Sequence, residues 1–167
     1  MRQLGIEDRL AVQDLIILYG HLHDSKQSHR VADEIFCADA TIDFGSGVIS
    51  GRDAIHEFFS GFTGIMGTSH NISNFIVEGE GDSARCQSHC LAWHWFERPD
   101  VDGRPSLHAS DALAVGGYQD DLRREPQGWR IAHRRTVQFG TGLGVGEIAP
   151  ALRPIFEGGL GRLPEWP

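Results

Sequence analysis

The sequence predicts an α+β fold, with N-terminal helices laid on one face of a curved, mainly antiparallel sheet. Apolar residues recur at helical spacing through the first third of the chain, and from Thr68 onward the pattern turns to long β segments. Those segments are joined by hairpin turns rather than by helices, which excludes the strand–helix alternation of a parallel, doubly wound sheet.

Residues 6–23 place Ile6, Leu10, Leu15, Leu18, Tyr19 and Leu22 at helical spacing, with Glu7, Asp8, Arg9 and Asp14 left for solvent. A shorter helix is expected at about 28–36, followed by the alternating strand Thr41-Ile42-Asp43-Phe44, which Gly45, Gly47 and Gly51 end. Residues 52–63, with Ile55, Phe58, Phe59 and Phe62, return to helical spacing. Strands are expected at 68–78, 83–96, 107–123 and 128–139, with turns at Gly79-Glu80-Gly81-Asp82 and Pro126-Gln127-Gly128 and a longer join over Pro99–Pro105. Residues 1–139 therefore read as one domain. Residues 140–167, rich in Gly and Pro, read as a tail serving as a lid or a subunit contact. The tail's Gly-Thr-Gly-Leu-Gly-Val-Gly run lacks the register and the Lys-Ser/Thr of a phosphate loop.

The totals exclude several classes. A length of 167 residues suits a single core, and 40% hydrophobic with 23% charged residues is ordinary for a globular protein. A formal charge of −8 without a Lys/Arg run longer than two residues argues against nucleic acid as a partner. The longest apolar run, Leu15–Leu18, is far short of the roughly 20 residues of a bilayer span, so no membrane association is expected and a cytoplasmic location is. Cys37, Cys86 and Cys90 are too few for a disulfide framework and read as buried thiols.

Strand 83–96 carries the clearest sign of a cavity. Period-two alternation puts Ala84, Cys86, Ser88, Cys90, Ala92 and His94 on one face and Arg85, Gln87, His89, Leu91, Trp93 and Trp95 on the other. Small side chains on the concave side of a curved sheet leave room for a ligand, with Phe44, Phe58, Phe59, Phe62 and Met66 available as apolar walls. The bulky face suits a second copy of the chain, so a homo-oligomer is expected.

The order of elements, the Thr41-Ile42-Asp43-Phe44 strand after two helices, and the final strand Gly128-Trp129-Arg130-Ile131-Ala132-His133-Arg134-Arg135 together resemble the SnoaL-like branch of the nuclear transport factor 2-like superfamily. The resemblance covers about residues 5–139 and implies an open α+β cone. Tyr19, Asp24 and His70 look like the Tyr/Asp/His set of bile-acid 7α-dehydratases. The Asp and His also match hexachlorocyclohexane dehydrochlorinase, where a lysine takes the tyrosine position. His94 falls where scytalone dehydratase carries its second catalytic histidine, whereas His23 and Phe44 stand where that enzyme has pocket tyrosines. These relatives perform eliminations and the dehydratases are trimeric, which implies a lyase assembled as a trimer or dimer. Fold alone does not decide function, because the same superfamily holds ketosteroid isomerases, polyketide cyclases and non-enzymatic binding modules.

Imidazole suits general-base work near neutral pH, and a carboxylate behind it fixes the tautomer and stabilises the imidazolium that forms. His70 is the expected base and Asp24 its support. Tyr19 is the expected donor to a developing oxyanion, and His94 the proton source for a leaving hydroxyl. His23, Phe44, Phe58 and Met66 are expected to contact a small apolar cyclic or polycyclic substrate. Each residue also has a plainer reading: Asp24 as a cap, His70 bonded to backbone, Tyr19 as core filling and His94 packed between tryptophans. No G-x-S-x-G element supports acyl-enzyme chemistry. A metal centre from His21, His23 and Asp24 is disfavoured, since alternate helical residues point about 200° apart, and no cofactor is expected. The leading expectation is a cofactor-independent, dehydratase-like lyase. The alternatives are an isomerase or cyclase using the same base, and a non-catalytic ligand-binding module.

Overall fold

The computed structural model describes residues 4–61, 64–96, 111–138 and 143–144. Helix α1 (Ile6–Asp24) leads through a 3-10 turn (Ser28–Arg30) into α2 (Val31–Ile35), strands β1 (Phe36–Asp43) and β2 (Val48–Ser50), and helix α3 (Arg52–Ser60). Four long strands follow, β3 (Ile65–Glu80), β4 (Ser83–Phe96), β5 (Ala112–Glu125) and β6 (Gly128–Gln138), then the short β7 (Leu143–Gly144). The sheet runs β2-β1-β6-β5-β4-β3, with β7 paired to β5. All neighbours are antiparallel except β1 and β6. The fold is α+β: an unclosed, curved sheet with the helices on its concave side. No helix among the described residues is long and apolar enough to cross a membrane.

The β hairpins form where turn chemistry places them. Gly81 closes the β3–β4 turn at φ +61°, and Gly128 opens β6 at φ +112°, conformations that favour glycine. Bulges in β3 between Ser73 and Ile76 and in β5 at Asp121–Leu122 bend the sheet. On β4 the alternation holds: Ala84, Cys86, Ser88, Cys90 and Ala92 are buried, while Arg85, His89 and Leu91 are exposed.

Several expectations need correction. The expected 28–36 helix is a 3-10 turn and a five-residue helix, and Phe36 already begins β1. The glycines after Phe44 lead into a short returning strand, β2, rather than only ending one. On α1 the buried side is Val12, Leu15, Ile16, Tyr19 and Leu22, whereas Ile6, Leu10 and Leu18 are exposed. The helix carries apolar residues on more than one side, and packing selects the stripe that meets the sheet. The runs Asp120-Asp121 and Arg134-Arg135 suit solvated or ion-paired faces; Asp120 and Arg134 are ion-paired, but the pair is buried rather than at the surface, because both point to the concave side across β5–β6. Phe62, residues 107–110, the Pro99–Pro105 join and the 140–167 tail apart from Leu143–Gly144 lie outside the described residues.

Candidate active site

The site starts where α1 ends. Asp24 is the helix's last residue, and the chain turns there through a Schellman motif: Lys26 N–H donates to His23 O at 3.0 Å and Gln27 N–H to Leu22 O at 2.7 Å. This stop aims the Asp24 carboxylate at β3. His70 Nδ1 lies 2.7 Å from Asp24 Oδ1, the His70 backbone N–H donates to Oδ2 at 2.8 Å, and the Thr68 hydroxyl donates to Oδ1 at 2.8 Å. Burial alone would raise the Asp24 carboxyl, but the hydrogen bonds from His70 and Thr68 outweigh it and hold the group down at about 2. An ionised Asp24 only accepts, so His70 Nδ1 is the donor, and in the neutral tautomer Nε2 is the nitrogen that can take a proton.

Gly20 lets the helix come this close. A Cβ there would stand 3.0 Å from His70 Cβ and 3.2 Å from Ile72 Cδ1.

The pair opens on a cavity of about 480 Å³. Tyr19, His23, His70 and His94 all line it, as do Phe44, Phe58 and Met66, while Cys90, Ala92, Ala114 and Gly116 form a low wall on the sheet. Gly116 and Gly117 have no room for side chains, because a Cβ on either would lie 2.0 Å from a carbonyl oxygen of the neighbouring strand. His94 meets His70 edge-on with ring centroids 5.7 Å apart, and His23 stacks on His70 at 5.5 Å. Burial, reinforced by the neighbouring His70, pushes His94 down to about 4 and His23 to about 3, so both are neutral at pH 7. His23 Nδ1 is bonded to Ser28 Oγ at 2.9 Å, and its buried Nε2 has no hydrogen-bond partner. His21 is exposed, so the two histidines diverge as helical spacing requires.

Beneath the cavity lies a buried cation. Arg134 pairs with Asp120 through two hydrogen bonds of 2.7 and 2.9 Å, and its guanidinium lies over the rings of Tyr19 (4.2 Å) and Tyr118 (4.1 Å), which meet each other edge-on. Tyr19 is thus both cavity wall and a contact of this cation, and burial raises its phenol above the usual range. The Tyr118 hydroxyl donates to Cys90 Sγ at 3.5 Å.

Thr68 and Tyr118 were not expected at the site, whereas one arginine of the Arg134-Arg135 pair was open to a substrate contact. The period-two rule applied to β3 puts Thr68 on the His70 face, and applied to β5 it puts Tyr118 in line with Ala114 and Gly116.

Residues 5–135 match the model of the SnoaL-like domain. The chain belongs to the SnoaL-like domain family. An uncharacterized protein from Mycobacterium tuberculosis (strain ATCC 25618 / H37Rv), Rv2910c, is 32% identical over 136 residues, 77% of this chain and 84% of that protein. A solved structure from Novosphingobium aromaticivorans, provisionally assigned as an aromatic ring hydroxylase, is 28% identical with a TM-score of 0.74, covering 91% of this chain and 99% of that one. Two others share the SnoaL-like fold. One is a provisionally assigned scytalone dehydratase from the same organism, with TM-score 0.66, 22% identity and coverage of 77% and 81%. The second is a hexachlorocyclohexane dehydrochlorinase (LinA type 2), with TM-score 0.66, 21% identity and coverage of 87% and 95%.

Proposed function

We propose that this protein is a lyase that removes a proton next to an electron-withdrawing group of a small apolar substrate and expels a β-hydroxyl, with His70 as base. The observation that carries this reading is the double grip of Asp24 on His70 through Nδ1 and the backbone N–H. That grip fixes ring, tautomer and counter-charge at once, and a ligand-binding module has no use for it. The C–H bond breaks, its proton goes to His70 Nε2, and the electron pair forms the C=C bond as the hydroxyl departs. The proton the hydroxyl needs comes from the His70 imidazolium. His94, whose ring lies 5.7 Å from that of His70, is the proposed second polar contact of the leaving hydroxyl. Tyr19 is the proposed donor to the developing oxyanion, and His23, Phe44, Phe58 and Met66 are the proposed contacts of the substrate body.

The dehydratase and dehydrochlorinase among the fold neighbours support an elimination. Hydroxy-ketones offered to the protein are expected to give products lighter by one water. Asp24→Asn and His70→Ala are each expected to lower turnover by roughly a thousandfold or more while the fold persists. Full activity in both variants would refute the proposal, and solvent deuterium entering at carbon without loss of water would replace it with an isomerase.

A further inference from the structure

The residues lining the cavity include no aspartate or glutamate among the described residues, although the chain as a whole carries a formal charge of −8. They do include Lys26, the only lysine in the sequence. With His29 and Ser60, Lys26 makes up the exposed part of the lining, so these three stand at the rim. Lys26 forms no ion pair among the described residues.

Its backbone is a second, independent sign. Lys26 sits at φ +60°, at the left-handed position of the Schellman motif that closes α1, where glycine is the usual residue. A lysine there is strained by its Cβ, and nothing in its own hydrogen bonding requires a side chain, since the motif uses only the backbone N–H. A residue that loses stability where glycine would gain it, and that places a free ammonium at the mouth of an apolar cavity, points to function.

We infer that the ligand of this cavity is an amphipathic organic anion, whose apolar rings occupy the interior and whose acidic group, a carboxylate, sulfonate or phosphate, is held at the rim by Lys26 with His29 beside it. This deepens the proposed function by naming the substrate class, and it rests on that reading for the use of the cavity. In a chain of net negative charge the rim lysine also offsets the repulsion an anion meets on approach.

The test uses two dyes of the same skeleton, the anionic 1-anilinonaphthalene-8-sulfonate and the neutral N-phenyl-1-naphthylamine, titrated by fluorescence into the full chain. Lys26→Gly is expected to weaken the sulfonate roughly threefold to fivefold and Lys26→Glu about tenfold or more, with the neutral dye held within about twofold. The melting temperature of Lys26→Gly is expected to stay the same or rise, which a purely structural role for the lysine would not allow. Raising salt to about 0.5 M is expected to shrink the difference between the dyes. Equal responses of the two dyes to Lys26→Glu, or none, overturn the inference. Ala92→Phe and, as a milder filling, Ala114→Val are expected to weaken both dyes together. Binding that survives both fillings overturns the cavity as the apolar site. The titration needs no turnover, so loss of dye discrimination with elimination intact sinks the rim alone. Intact discrimination without any elimination sinks only the catalytic reading.

Discussion

At the scale of single residues, the Asp24 carboxylate is held by three donors, and they do different work. The His70 Nδ1–H orients the ring of the proposed base, the His70 N–H locks the strand to the carboxylate, and the Thr68 hydroxyl fills the remaining approach to Oδ1. A hydrogen bond to an ionised group contributes about 1.5–3 kcal/mol. Thr68→Val is therefore expected to lower kcat by roughly tenfold, far less than the loss of either dyad member, because the His70 tautomer survives. Steady-state kinetics on the three variants checks this order, and a Thr68→Val loss as deep as that of His70→Ala would contradict it.

At the scale of elements, the cavity exists because β4 and β5 give it small residues while their other inward positions fill the core. Ala92 pairs with Ala114 and Cys90 with Gly116, and the large side chains resume at Tyr118. Below that step the Arg134–Asp120 pair ties β6 to β5 with almost no solvent exposure. A buried pair adds little over a well-packed apolar pair, but breaking one costs about 3–5 kcal/mol because a charge is stranded. Arg134→Met is thus expected to destabilise the fold by that order. Adding Asp120→Leu should recover much of the loss, and denaturant unfolding of both variants measures the coupling.

At the scale of the whole molecule, stability should fall on acidification. His23 and His94 titrate at about 3 and 4 when folded, below the ordinary value of 6.5, so the unfolded chain binds more protons between those limits. Their contribution is complete above about pH 6.5 and is lost progressively toward pH 3, by up to about 1.4 kcal/mol per pH unit for each histidine. Asp24, depressed to about 2, has the same sign in a lower window: its contribution is present above about 4 and lost as pH approaches 2. Melting temperatures recorded between pH 7 and 4 are expected to drop, and His23→Asn or His94→Gln is expected to flatten the slope. The outer face of the sheet has a separate consequence. Leu91 is 48% exposed there, and Trp93 and Trp95 stack beside it with centroids 6.5 Å apart. Such a face is expected to be covered by a second copy of the chain, so light scattering at micromolar concentration is expected to exceed the monomer mass of 18.4 kDa. A monomer mass would end that expectation.

The long strands, their hairpins and the two faces of β4 were legible in the sequence, because period two and turn glycines act over neighbours along the chain. Tyr19, Asp24 and His70 were legible as candidates through the resemblance of their spacing to a family, and His94 through that resemblance together with the period-two alternation of its strand. Which stripe of α1 turns inward was not legible: Leu10 and Leu15 are equally apolar, and only contact with the sheet distinguishes them. The burial of Arg134 and Asp120 was hidden for the same reason, since two charges become a core element only when strand register sets them opposite each other beneath two tyrosine rings. The Asp24–His70 hydrogen bonds and the lowered Asp24 pKa they impose depend on groups 46 positions apart in the chain meeting within 3 Å, and the placing of Lys26 on the cavity rim depends on the same packing of α1 against the sheet. Distances of that kind are decided by packing.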